Sequence, residues 1–127
     1  MLGHLSLGVG DLERSGAFYD AVMMALGYAR VFTASYGVGY GEAGATVDRL
    51  MLFGQDRPVT PPGPGFHLAF KAPSRAAVDR FYSAALAAGG VSDGAPGLRP
   101  DYGPTYYAAF VIDPDGHKLE AVHNPPP

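Results

Sequence analysis

The sequence predicts an α+β fold of two βαβββ modules, whose strands form a curved mixed sheet that encloses a cleft, with the helices on its outer face. Three observations predict it. A shift of 63 residues lays His4-Leu5 on His67-Leu68 and Phe18-Tyr19 on Phe81-Tyr82, and carries Ala21, Ala25 and Gly27 onto Ala84, Ala88 and Gly90. Each copy opens on a short alternating strand and continues into a helix-period segment that ends at glycine. Between the copies, Arg57-Pro58-Val59-Thr60-Pro61-Pro62-Gly63-Pro64-Gly65 reads as a linker. One domain over residues 1–127 follows, with module one at about 1–54, the linker at about 55–65 and module two at about 66–124.

The elements follow in order. In Leu2 to Val9, alternation sends Leu5, Leu7 and Val9 to one face and His4, Ser6 and Gly8 to the other. Asp11 is placed to cap a helix that runs to about Leu26 and stops at Gly27. Tyr28 to Ala34, Tyr36 to Tyr40 and Val47 to Phe53 read as strands. In the second copy Phe66 to Lys71 is a strand, with His67, Ala69 and Lys71 on the face that His4 occupies in the first. Ser74 caps a helix ending at Gly89-Gly90, and one short strand is expected near the glycine- and proline-rich Gly94 to Gly103. Tyr106 to Ile112 and Lys118 to His123 form a hairpin around Asp113-Pro114-Asp115-Gly116.

Composition narrows the function classes. Charged residues are 17% of the 127, the net charge is −3 and no basic stripe appears, so nucleic acid is not an expected partner. No apolar run approaches the ~20 residues of a membrane span. There is no cysteine, which removes disulfides, thiolate catalysis and sulfur-ligated zinc. Strand-like sequence from Leu2 leaves no room for a signal peptide, and a cytoplasmic location is the expectation.

The repeat also locates chemistry. Leu50-Met51-Leu52 matches Leu119-Glu120-Ala121 at an offset of 69, which makes Glu120 the counterpart of Met51. With Leu50, Leu52, Leu119 and Ala121 against the helices, Glu120 points into the concave face, and His4, His67 and Glu120 converge on one point. Two imidazoles and a carboxylate on one side of a divalent ion leave its other positions open. Met51 is expected to line the cavity. Arg49 is expected beside it, either paired with a neighbouring acid or clamping a substrate carboxylate or enolate. Around the Gly94–Gly103 segment, Tyr102 and a tyrosine of the Tyr106-Tyr107 pair, Tyr107 by preference, are candidates to border the substrate. Phe18, Tyr19, Met23, Leu26, Phe81 and Leu86 recur at helical spacing and read as core.

These segments resemble the vicinal oxygen chelate superfamily, which includes glyoxalase I, extradiol dioxygenases, fosfomycin-resistance thiol transferases and bleomycin-resistance proteins. The resemblance is carried by His4 to Val9 with Asp11-Leu12-Glu13-Arg14-Ser15, by Gly65-Phe66-His67-Leu68-Ala69-Phe70, and by Asp113 through Glu120. It implies that His4, His67 and Glu120 hold a divalent ion, Fe, Mn, Ni or Zn, which chelates a small molecule through two adjacent oxygens in lyase, isomerase or dioxygenase chemistry. Met51 stands where glyoxalase-like members carry a fourth, glutamate ligand. After Glu120 the chain reads Ala121-Val122-His123-Asn124, without the basic residues that transferases of the fosfomycin type carry. That transferase and a metal-free antibiotic-binding protein of the bleomycin-resistance type are the alternatives. The resemblance also implies a homodimer. The arrangement of the linker decides whether His4 meets His67 within one chain or across two.

Overall fold

The computed structural model describes residues 1–127. Module one contains β1 (Leu5–Val9), α1 (Leu12–Ala25), β2 (Tyr28–Ala34), β3 (Gly37–Glu42) and β4 (Leu50–Gly54). Module two repeats the plan with β5 (Leu68–Lys71), α2 (Arg75–Ala87), β6 (Val91–Leu98), β7 (Tyr107–Ile112) and β8 (Lys118–His123); a 3-10 turn, Pro100–Tyr102, lies between β6 and β7. The first half of the glycine-rich Gly94–Gly103 segment thus belongs to β6. β6 keeps pace with β7 only through register shifts at Ser92/Gly94 and Gly94/Gly97, so its period-2 pattern is broken in the sequence.

The expected curved mixed sheet is present as two four-stranded halves, ordered β1-β4-β3-β2 and β5-β8-β7-β6. In each, the first strand pairs in parallel with the last, Leu5 with Leu50 and Leu68 with Leu119. No hydrogen-bonded register joins β1 to β5. Both are edge strands, and they line the crevices between the modules.

Both helices start and stop on local signals. Asp11 accepts from the Arg14 N–H at 3.0 Å and Ser74 from the Ala77 N–H at 3.0 Å. Gly27 (φ 89°) and Gly89 (φ 97°) take the left-handed conformation just past each end. The helices pack against each other, and one continuous core joins the modules through Phe18, Val22, Val78, Phe81 and Ala85. Leu7, Val9, Leu52, Leu119 and Ala121 meet that core from the sheets. No helix is long and apolar enough to cross a membrane.

A polar joint ties the hairpin between β7 and β8 to α1. Asp115 sits at the N-terminus of α1, where it accepts from the Gly10 N–H (2.8 Å), Arg14 (3.1 Å) and the Ser15 hydroxyl (2.9 Å). Asp113 accepts from the hydroxyl of the fully buried Tyr19 at 2.6 Å. Its other oxygen accepts from the N–H groups of Asp115 and His117 at 2.9 and 2.8 Å.

Burial, then the neighbouring Asp113, raises the Tyr19 hydroxyl well above its ordinary 10.0. Burial, then the hydrogen bond to Asp20, raises that of Tyr40. Both phenols stay protonated in the fold at pH values where the unfolded chain begins to lose its protons. Their contribution is therefore complete below about pH 10 and is lost as pH rises above it. The urea midpoint should hold to about pH 9 and fall steeply beyond pH 10, while Tyr19→Phe should show a shallower alkaline fall.

Candidate metal and substrate cleft

Strand alternation builds the site on module two. Ala109 and Val111 face the core, so Phe110 and the preceding Tyr106 face away from the helices into a cleft of about 960 Å³. On β8 Leu119 and Ala121 face the core, which turns Lys118 and Glu120 to the same cleft. His67, just before β5, joins them. Pro62 to Phe66 of the linker, Asp93, Gly94, Arg99 and Tyr102 complete the wall.

Glu120 is 1% exposed, and each of its oxygens is engaged. Oε1 lies 2.9 Å from His67 Nε2. Oε2 accepts from the Tyr106 hydroxyl. Burial, then Glu120, raises the Tyr106 phenol above its ordinary value, which keeps it a donor. The His67 side chain is 43% exposed, so the pair opens on the cleft rather than sealing into the core. Donors sharing one divalent ion at bonds of roughly 2.1 Å stand about 3 Å apart. The 2.9 Å contact of His67 and Glu120 is a direct hydrogen bond, which an ion held by both would replace.

His4 lies elsewhere in the chain. It lines a separate hollow on module one with Ser6, Phe32, Tyr36, Asp48, Met51 and Phe53, none of which borders the His67–Glu120 cleft. No cluster of three or more histidine, aspartate or glutamate side chains able to hold a metal forms within the chain. The structure thus brings together two of the three expected ligands and leaves the third on the other sheet. The expected convergence of all three on one point does not occur inside a single chain, because β1 and β5 belong to separate sheets whose hollows do not meet.

Met51 lines the same hollow as His4 and not the His67–Glu120 cleft. Arg49 does not accompany it. Arg49 lies at a bend just before β4, although its N–H donates to the Tyr40 carbonyl and its carbonyl accepts from the Leu5 N–H. Its guanidinium reaches the Gly3 carbonyl at 3.3 Å and borders the crevice on the helix side, with Leu5, Met23 and Phe70. Tyr102 borders the cleft on its outer rim and is 65% exposed. Tyr107 does not border it. It shares parity with Ala109 and Val111, and its hydroxyl donates to Asp79 on α2 at 2.7 Å. Tyr106 holds the position expected of Tyr107. The signal was in the sequence, since Tyr106 is four residues from Phe110 and shares its parity, as Lys118 and Glu120 share theirs on the paired strand.

The glyoxalase/bleomycin resistance protein/dioxygenase superfamily model matches residues 1–121. The chain belongs to this superfamily. Among solved structures, a glyoxalase/bleomycin resistance protein from Albidiferax ferrireducens T118 is 32% identical, with 98% of this chain and 99% of that one covered and a TM-score of 0.83. A glyoxalase-related enzyme from Fulvimarina pelagi is 28% identical over 98% and 88%, with a TM-score of 0.74. The fosfomycin resistance protein FosX from Listeria monocytogenes shares the fold, at 20% identity over 98% and 93% with a TM-score of 0.71. No curated protein matches. Superfamily membership agrees with the two-module architecture and leaves the reaction open.

Proposed function

We propose that this superfamily member is a divalent-metal-dependent enzyme acting on a small molecule through two adjacent oxygens, by lyase, isomerase or dioxygenase chemistry. The observation that carries the reading is the His67–Glu120 pair, 2.9 Å apart at the base of a large open cleft, with its buried carboxylate already held by a second donor. A bound Fe, Mn, Ni or Zn ion would supply Lewis acidity toward the chelating oxygens. His67 and Glu120 would hold it. Tyr106 orients the carboxylate and keeps a proton at its hydroxyl, while Phe66 and Phe110 supply apolar wall that limits water.

The third ligand in this reading is the partner subunit's His4. A homodimer that lays the His4 hollow of one copy over the His67–Glu120 cleft of the other completes two sites. The exposed aromatic group Phe32, Tyr36 and Phe53 around His4 is the surface such a partner would cover.

Subunit mixing tests this. His4→Ala and His67→Ala proteins, each prepared alone, should be nearly free of metal. Unfolded together and refolded, they should recover about a quarter of the wild-type metal content, because half of the dimers are mixed and each mixed dimer has one intact site. No recovery would place the ligands within one chain. Full metal content in both single variants would overturn His4 and His67 as ligands, whereas a wild type that takes up no metal would favour the metal-free ligand-binding reading, which the separation of His4 from the other two residues in one chain supports.

A further inference from the structure

The charges of the cleft leave one cation without an acid. Lys118 Nζ is 3.0 Å from Asp93 Oδ2, and Glu120 is engaged by His67 and Tyr106. Arg99 meets no carboxylate at all. Its guanidinium donates to two backbone carbonyls, Ala95 at 2.7 Å and Leu98 at 3.4 Å, and lies 5.5 Å from the centre of the Phe110 ring. A guanidinium carries five N–H donors in a planar fork. Two tethers and an aromatic seat hold that fork in place and leave donors unused. Little side-chain freedom remains to be lost when an anion arrives.

Resting on the reading of the cleft as a metal and substrate site, we propose that the substrate is a carboxylate, and that Arg99 is the residue that reads its carboxylate group while the adjacent oxygens lie toward His67 and Glu120. A planar, pre-positioned fork matches a carboxylate through paired hydrogen bonds. The Lys118 ammonium is 5.4 Å from the same ring but is already committed to Asp93, which leaves Arg99 as the uncommitted cation. The anionic end of the ligand is thereby directed to Arg99.

The test compares catechol with 2,3- and 3,4-dihydroxybenzoate, which add a carboxylate at two reaches. Binding is followed by calorimetry on Zn(II)-loaded and chelator-stripped protein. The wild type should bind the better dihydroxybenzoate about 10- to 100-fold more tightly than catechol, as a charge-assisted contact requires. The preference should shrink as salt is raised. Arg99→Met should erase the preference and leave catechol affinity unchanged; Arg99→Lys should keep part of it. Equal wild-type affinity for all three overturns the proposal, as does a preference that survives Arg99→Met, or an equal loss for catechol and the benzoates. If stripping the metal leaves every affinity unchanged, the metal reading fails while the preference still reports on Arg99.

Discussion

Glu120→Gln is expected to lower divalent-metal affinity by at least about 100-fold while leaving the chain folded. The substitution keeps size and shape, and an amide oxygen still accepts from Tyr106. What it removes is the negative charge and one coordinating oxygen, which is what a divalent ion requires of this position. Changes in groups that merely orient a ligand already cost 10- to 100-fold, so loss of a ligand itself should cost more. Titration of the stripped protein with Zn(II), with thermal unfolding run alongside, reads both quantities. An unchanged titration would mean that Glu120 is an internal polar residue serving only His67 and Tyr106.

Asp113→Ala is expected to give the largest loss of stability, about 3–5 kcal/mol. The carboxylate is 4% exposed and is the acceptor for three donors: the buried Tyr19 hydroxyl and the N–H groups of Asp115 and His117. Truncation strands all three and loosens the hairpin that seats Asp115 on α1. Tyr19→Phe removes only one of the three contacts, together with the group that needed it, and should cost about 1–2 kcal/mol. Urea midpoints for the two variants would show the difference. Similar midpoints would mean that the hairpin is held chiefly by Asp115.

Most of the architecture was legible because it is written twice. A repeated strand-helix-strand pattern with caps at Asp11 and Ser74 specifies modules without knowledge of their packing. Alternation also assigned Met51 and Glu120 to the faces opposite the helices, since each lies within a regularly paired strand. It failed at Arg49, which lies at a bend one residue outside β4 and turns its guanidinium to the Gly3 carbonyl. Tyr107 is a candidate by its nearness to the Gly94–Gly103 segment and not by alternation, while its parity with Ala109 and Val111 directs it to the core side. The separation of His4 from His67 is a different kind of gap. Periodicity within a strand reports which face a residue takes. How two modules are set against each other depends on contacts made over long stretches of chain, and the repeat carries no record of them.

Those contacts bear on how the molecule comes into being. The donors from Gly10, Arg14, Ser15 and Tyr19 meet acceptors 94 to 105 positions downstream, close to the end of the chain. Loop-closure entropy must be met before any of these bonds can form, and pairings so distant in sequence slow folding. During synthesis, the first module must persist with the N-terminal turn of α1 uncapped by Asp115 until the hairpin between β7 and β8 has emerged. The joint at Asp113 and Asp115 is therefore a late event in folding, and substitutions there should speed unfolding more than they slow the initial collapse of either module.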